Sequence, residues 1–432
     1  MRVAIVGGGF AGLFTAHALL QRGADDLVVL DAAHHPGGVA RAVRRDGYIL
    51  EPAVGSLTLP HPHLSTVLAA APGHVRSAAD TARIRHVWTG RRLVTPGPGP
   101  KAALAPIVPT RAKLRGLLEP LVTEPPGEDD ISLDRFCRRR LGDELGGVVA
   151  WLAASGVFAG DPTRLSARAT FPALTNLVAT DGSLLVGALR RLRRRPPDVP
   201  RPAVHVPTST MGDLAAALAA DLGDRFRPGH VVDAIHRNGN QWILDGSERL
   251  GADEIVLACR PTAAARLLES PMADLLEEAV SAPTVVIGFG GAGRSRDGFG
   301  ILTGPGAGTA TRGILLESSY APHRAPAGHF LLKVIAGGDP PSALLDRDDT
   351  DLAENVGSEV ARILGRDLEA SFVEVVRHEP GIPQYRVGHH RWLAAIEEAA
   401  PSGVHLAGWG YRGVGLSHLA TDAVRIASTI AS

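Results

Sequence analysis

Arg2-Val3-Ala4-Ile5-Val6-Gly7-Gly8-Gly9-Phe10-Ala11-Gly12-Leu13-Phe14 and, a little further on, Leu27-Val28-Val29-Leu30-Asp31 decide the fold. Arg2 to Val6 reads as a short apolar strand, the stretch to about Arg22 as a helix, and Leu27 to Leu30 as a second strand ending at Asp31. The glycines have separate tasks in such a βαβ unit. Gly7 permits the tight turn, Gly9 lets the backbone approach a pyrophosphate, and Gly12 lets helix and strand pack closely. Phe10 and Ala11 open the helix, whose N-terminal amides and dipole favour an anion. Asp31 stands where it would accept hydrogen bonds from an adenosine ribose. Strand, glycines, helix, strand and terminal acid in register make this a dinucleotide-binding fingerprint in its required context.

The rest of the composition sets bounds. The chain has 432 residues, 45 Lys+Arg against 45 Asp+Glu, 45% hydrophobic residues and 50 glycines. That length allows two or three domains with a substantial core. Zero net charge gives no global drive toward nucleic acid. Cys137 and Cys259 lack CxxC or Cys/His spacing, so neither structural zinc nor a disulfide scaffold is expected. The histidine pairs His34-His35, His61/His63 and His389-His390 lack ligand spacing, and no metal is expected. Gly7, Gly8, Gly9 and Gly12 sit where a signal helix would want leucine, and Leu145 to Gly160, an uncharged run with four glycines, is too short to cross a bilayer. The expectation is a cytoplasmic protein with no transmembrane segment, peripheral membrane contact being left open. Lys101, Lys113 and Lys333 are the only lysines.

The residues after the second strand point to FAD rather than NAD. Pro36-Gly37-Gly38 and Arg41 come next, then the strand-like Asp46-Gly47-Tyr48-Ile49-Leu50-Glu51, where an NAD domain would continue into further βα units. Pro96 to about Arg195 has helical apolar spacing, as in Leu114, Leu117, Leu118, Leu121 and in Leu133, Phe136, Leu141, Leu145. Val231 to Ile235 and Gln241 to Leu244 flank Asn238-Gly239-Asn240, a hairpin signal. Ala252 to Ala258, Thr284 to Gly290, Ile314 to Glu317 and Phe330 to Ile335 read as strands, and Asp351 to Leu364 as a helix. Val404 to Ala407 is a last strand before a turn rich in glycine (Gly408, Gly410, Gly413, Gly415) and a closing helix. Arg190, Arg191, Arg193, Arg194 and Arg195 precede the Pro-rich stretch 196–202 and read as a solvated helix end, with contact to anionic lipid as the other reading.

These blocks together resemble the protoporphyrinogen/coproporphyrinogen oxidase family of the FAD-dependent amine oxidase superfamily. The resemblance spans nearly the whole chain and rests on Val6 to Gly12 with Asp31, Pro36-Gly37-Gly38 with Arg41, and Arg45 to Glu51. It continues through Gly156-Val157-Phe158-Ala159-Gly160-Asp161, Gly298-Phe299-Gly300, Ile382-Pro383-Gln384-Tyr385 with Val387-Gly388-His389, and Ala407-Gly408 through Tyr411-Arg412-Gly413-Val414-Gly415. It implies an α+β / α/β protein. A Rossmann-like FAD-binding domain would be built from 1–75, 205–265 and 383–432. A discontinuous substrate domain of mixed sheet plus helices would take 76–204, largely helical, and 266–382. Gly7, Gly9, Phe10, Ala11, Gly12, Asp31 and Gly38 would hold the ADP half, with Arg41 against the pyrophosphate and Val232 at the adenine. Trp409, Gly413 and Val414 would abut the flavin. The implied reaction is six-electron aromatisation of a porphyrinogen in three flavin cycles, with dioxygen as acceptor and hydrogen peroxide as product. Arg85 would bind a propionate, a task suited to its planar fork, and Gly300 and Ile335 would line the substrate slot.

Several positions depart from the family pattern. Pro52-Ala53-Val54-Gly55-Ser56 follows Glu51 where Gly-Pro and polar residues are usual, Ser209-Thr210 replaces a glycine pair, Asp422 replaces a glycine, and Trp409-Gly410 replaces a smaller, more polar pair. Lys333 lies inside the strand Phe330-Leu331-Leu332-Lys333-Val334-Ile335, on the face of Ile335 by alternation. It is the candidate catalytic residue, a pocket lysine that binds a substrate anion or tunes the flavin, against the reading of a lysine on the solvent side of an edge strand. Two other functions stay open: a flavin oxidase or desaturase of the same fold acting on a C–N or C–C bond of another small molecule, and a flavin- or porphyrin-binding protein without turnover.

Overall fold

The strand β1 (Val3–Val6) is buried at every residue, as a run of β-branched and small apolar side chains must be when both sheet faces are covered. The computed structural model describes residues 1–97, 99–123, 130–194 and 200–431, so Arg195 lies outside the described residues. Helix α1 (Phe10–Leu20) follows β1, and β2 (Leu27–Asp31) returns parallel to it, pairing Val3 with Leu27 and Val6 with Leu30. The strands Phe226–Pro228, Glu254–Leu257 and Val404–Leu406 complete an all-parallel five-stranded sheet in which β1 is central. Every residue of α1 from Phe10 to Leu19 is buried, because the helix packs between this sheet and the closing helix Leu416–Ile430. Each of its large apolar side chains removed from water contributes roughly 1.5–3 kcal/mol.

Asp46-Gly47 does not belong to a continuous strand. Both residues have positive φ (52° and 78°), and they form the two-residue turn of a hairpin, β3 (Val43–Arg45) against β4 (Tyr48–Leu50). An Asp-Gly pair between apolar runs favours this turn because its twist matches that of the flanking strands. The hairpin docks on a second, seven-stranded sheet. There the order is Phe372–Pro383, Ser281–Ala292, His329–Gly337, Thr311–Leu315, Gly300–Thr303, Arg85–Trp88, Leu93–Val94, antiparallel except where Gly300–Thr303 meets Arg85–Trp88. One face of this sheet buries Phe330, Leu332 and Val334 against Leu352, Val356 and Val360 of the helix Asp349–Leu364. The other face receives the hairpin at Gly288 and Gly290, where a Cβ would come within 2.7 Å of Leu50 and 2.5 Å of Tyr48.

Two boundaries shift from the sequence reading. Ala252 ends one strand and Glu254–Leu257 begins another in a different sheet, because the chain turns at Asp253, whose N–H donates to Arg2 O. Glu317 is not in a strand; it opens the short helix Glu317–Tyr320 and is fully buried. The segment after residue 98 is helical where described, with a core of Leu133, Phe136, Ala150, Ala154 and Phe158. Leu114, Leu117, Leu118 and Leu121, whose spacing suggests a buried face, are exposed instead, Leu117 at 66% and Leu121 at 77%. The buried face of the helix Thr110–Leu117 is made by Ala112 and Gly116. No helix among the described residues is long and apolar enough to cross a membrane.

Candidate functional site

The glycine turn of residues 7–12 sits at the carboxyl ends of the parallel strands, where ligands bind in doubly wound folds. Gly7 has φ +115°, and a Cβ on Gly12 would lie 1.9 Å from Gly7 O, so helix and strand could not close on any larger residue. Pro36-Gly37-Gly38 docks against the same turn: Gly37 N–H donates to Gly8 O at 2.8 Å, and a Cβ on Gly38 would lie 3.4 Å from Gly9 Cα. Gly9 is different. Its φ of −71° suits any residue, and a Cβ there meets nothing nearer than Gly38 Cα at 3.9 Å. The space beside Gly9 is therefore a cradle that a side chain would fill. Helix α1 begins at Gly9 without a capping side chain and without an acid in its first turn. Its first amides and dipole fit a pyrophosphate.

Asp31 lies beside this cradle, Oδ2 accepting from Gly8 N–H and Oδ1 from Ala33 N–H. Each oxygen keeps a lone pair for a ribose hydroxyl. Arg41 is exposed, and Val232 opens its strand opposite Gly246. By contrast, the helix Met211–Leu222 is closed to a ligand at its start. Thr210 and Asp213 form a capping box, Asp213 is further bonded by Arg44, which also donates to Ser209, and Met211 N–H donates to Glu51 Oε1 at 2.7 Å.

The C-terminal turn is organised by Tyr385. Its hydroxyl accepts Gly413 N–H at 2.7 Å and donates to Trp409 O, while its ring packs between Phe158 and His389. Burial, opposed by the Gly413 hydrogen bond, holds the hydroxyl above its ordinary pKa, so it stays protonated and able to donate. Gln384 donates to Phe158 O, His389 bonds Tyr411 O, and Val414 packs on the helical core. Residues 382–389 thus latch the helical region to the 409–415 turn. Gly415 begins the closing helix, again with no capping side chain and no acid in the first turn. Asp422 is buried in that helix beside Arg425 (2.8 Å) and Arg412 (3.5 Å).

The seven-stranded sheet aligns the residues expected to meet substrate. Arg85 pairs with Gly300, Gly300 with Leu315, Leu315 with Lys333, and Lys333 with Gly288, one cross-strand row. At about 4.8 Å per strand, Arg85 and Lys333 stand roughly 14 Å apart. Arg85 stacks over Phe299 at 4.4 Å and donates to Ala82 O, which leaves further guanidinium donors. Gly300 is needed for the sheet itself, since a Cβ there would lie 2.7 Å from Ile314 O. Ile335 is half-buried beside Val286.

Lys333 is neither on an edge strand nor turned to solvent. Its strand is flanked by two others, and the side chain is 2% exposed. Its ammonium donates to Glu51 O (2.8 Å) and Ala53 O (3.1 Å) and lies 3.6 Å from Glu317 Oε1. This corrects the expectation of an anion-binding cation in the substrate slot: the charge is committed to the 51–55 loop. Arg324, also fully buried, bonds Glu317 and donates to Gly55 O at 2.5 Å. Burial opposes the charge of Glu317, but Arg324 and Lys333 hold its carboxyl below the ordinary range. Burial pushes Glu51 up against the pull of Met211 N–H and the two cations.

The sequence reading gave no role to Tyr385, which it quoted only within a motif, nor to Glu317, Arg324 and Arg260. Arg260 has a sequence signal, coming just after the buried strand Glu254–Leu257 and so at a carboxyl end. It lines a cavity of about 430 Å³ with Ser281, Gly381, Pro383 and Trp409. No cluster of His, Cys, Asp or Glu among the described residues could hold a metal.

Comparison with known proteins gives the geometry a context. The sequence pattern of the family described as "flavin containing amine oxidoreductase" matches residues 10–416. The chain is 29% identical to protoporphyrinogen oxidase 1, chloroplastic, of Spinacia oleracea over 93% of this chain and 78% of that one. It is 26% identical to coproporphyrinogen III oxidase of Bacillus subtilis, over 96% and 94%. Among solved structures, a protein from Exiguobacterium sp. 255-15 superposes with a TM-score of 0.80 at 23% identity, over 100% of this chain and 98% of that one. Putrescine oxidase superposes with a TM-score of 0.72 at 15% identity, over 99% and 98%.

Proposed function

The chain belongs to the flavin containing amine oxidoreductase family, and on that premise we propose that it oxidises a porphyrinogen, coproporphyrinogen III or protoporphyrinogen IX, to the porphyrin. Dioxygen is the acceptor in this reading and hydrogen peroxide the product. The protein is an FAD-dependent oxidoreductase. The observation that carries the substrate reading is the likeness to porphyrinogen oxidases over more than nine-tenths of this chain.

Four of the positions that depart from the family pattern have partners inside the fold. Thr210 serves the capping box, Asp422 neutralises Arg412 and Arg425, Trp409 offers its carbonyl to Tyr385, and Lys333 serves the 51–55 loop.

In this reading Gly7, Gly9, Phe10, Ala11, Gly12, Asp31 and Gly38 hold the ADP half, with Arg41 at the pyrophosphate and Val232 at the adenine, and Trp409, Gly413 and Val414 abut the ring. When bound, the flavin supplies the electron-accepting chemistry. The chain supplies orientation, a dry slot and a charge for the substrate's carboxylates. Arg85 is that charge, presented from the end of the sheet and steadied by Phe299.

Aerobic incubation with each porphyrinogen tests the reading: porphyrin fluorescence must rise, with peroxide formed alongside. Peroxide with other substrates only would move the assignment to a different oxidase of the same fold, and a bound flavin that no substrate reduces would point to a protein without turnover.

The reading extends to a surface. Leu114, Leu117, Leu118, Leu121, Leu185, Leu189 and Leu192 are exposed on neighbouring helices, joined where Glu119 accepts Leu184 N–H and Leu185 N–H. Arg190, Arg191, Arg193 and Arg194 lie on the second of these helices, which carries no acid in its described residues. Apolar side chains set among arginines suit the surface of an anionic membrane.

A further inference from the structure

Three carbonyls of the loop after β4 end on two buried cations. Glu51 O and Ala53 O accept from Lys333 Nζ, and Gly55 O accepts from Arg324 Nη2. Both cations lie beneath the loop, Arg324 completely buried and Lys333 nearly so, and they share Glu317 as counter-ion. In a trans peptide the carbonyl of one residue and the N–H of the next point opposite ways. Turning Ala53 O and Gly55 O toward the cations therefore turns the N–H groups of Val54 and Ser56 away from them. Neither of these donors has an acceptor among the described residues.

On its side away from the cations the loop borders the core beneath the five-stranded sheet's glycine turn. Ala53, Val54 and Ser56 are half-buried, and Val54 packs in the same cluster as Phe10 and Ala11 of the α1 start, Ala258 and Trp409. The loop thus stands between the cations of one sheet and the strand ends of the other. Half-buried backbone donors that the protein leaves without an acceptor are open to one supplied by a ligand.

We infer that Lys333, together with Arg324, is a positioning residue that aims Val54 N–H and Ser56 N–H at an electron-rich edge of the bound flavin. The ammonium does not touch the reacting atoms; it acts through the peptide groups of the 51–55 loop. Glu317, on which both cations rest, fixes them beneath the loop and so fixes the direction of its carbonyls. Reduction makes the flavin edge more negative, and donors aimed at that edge favour the reduced form. The inference rests on the flavin reading and goes beyond it by naming the groups that set the ring's environment.

Lys333→Met, purified and titrated with FAD, tests it. The expected result is a rise of about tenfold or more in the FAD dissociation constant, as for a lost hydrogen bond to a charged group. The midpoint potential of the bound flavin should move negative, and its visible absorption bands should shift. Lys333→Arg should restore part of each. Equal affinity, potential and spectrum in Lys333→Met and the unchanged protein would overturn the inference, whatever happened to thermal stability. If Lys333→Met does not fold, Lys333→Gln, whose shorter amide does not span both Glu51 O and Ala53 O, decides through affinity and potential: weaker binding with a negative shift supports the inference and no change in either overturns it. Failure of the unchanged protein to bind FAD would overturn the flavin reading itself.

Discussion

The Tyr385 hydroxyl accepts the N–H of Gly413 at 2.7 Å and donates its own proton to Trp409 O. One phenol thereby joins the latch of residues 382–389 to the turn that begins the closing helix. Tyr385→Phe would keep the ring between Phe158 and His389 but leave a partly buried donor and acceptor without their partner. Unfolding in denaturant should show a loss of about 1–3 kcal/mol, and FAD should dissociate faster. Unchanged stability and off-rate would mean that the turn holds its shape without the latch.

Gly9 and Gly12 should separate binding from folding. A Cβ at Gly12 would meet Gly7 O at 1.9 Å, so Gly12→Ala is expected to disrupt the β1–α1 junction and lower the melting temperature of the apoprotein. At Gly9 the Cβ has room, so Gly9→Ala should leave apoprotein melting unchanged and abolish FAD retention on gel filtration. Retention of FAD by Gly9→Ala would show that the cradle beside Gly9 does not hold the pyrophosphate.

Acid stability should report Glu317. Its folded carboxyl lies below its ordinary value of 4.5, because Arg324 and Lys333 outweigh burial. A depressed carboxyl stabilises the fold fully above the unfolded value, and this contribution is lost as pH falls from about 4.5 through the folded value. Glu317→Gln should be destabilised at pH 7 by about 3–5 kcal/mol, since two buried cations lose their shared partner. The gap between the two proteins should narrow below pH 4.5. A gap independent of pH would place the effect in packing rather than charge.

Arg85 should matter for affinity more than for turnover. Replacing a charge-assisted hydrogen bond to a propionate costs about 1.5–3 kcal/mol, or roughly ten- to a hundredfold in binding. Arg85→Ala is therefore expected to raise KM for coproporphyrinogen III over that range with kcat little changed. A fall in kcat at constant KM would assign Arg85 a different task.

The exposed leucines make a prediction about lipid. Sedimentation with vesicles containing phosphatidylserine should carry the protein down at low salt, and neutral vesicles should not. Leu189→Glu with Leu192→Glu should abolish the association without altering porphyrinogen oxidation. Equal sedimentation with both vesicle types, or none with either, would contradict the assignment of this face to anionic lipid.

The sequence by itself determined the dinucleotide end of the molecule. Gly7, Gly9, Gly12, Pro36-Gly37-Gly38 and Asp31 act through local backbone geometry, and local geometry is written in residue order. Strand, turn and helix could be read there because each step depends on neighbours only a few positions away. Lys333 shows where such reading stops. Alternation correctly placed it on one face with Ile335, but which of its possible partners it would meet depended on a loop some 280 residues earlier. The same holds for Asp422 and Thr210, which look like losses in a family pattern and turn out to be paired or capping groups. Burial forces an ionic side chain to find partners, and only the tertiary structure decides which distant segments supply them.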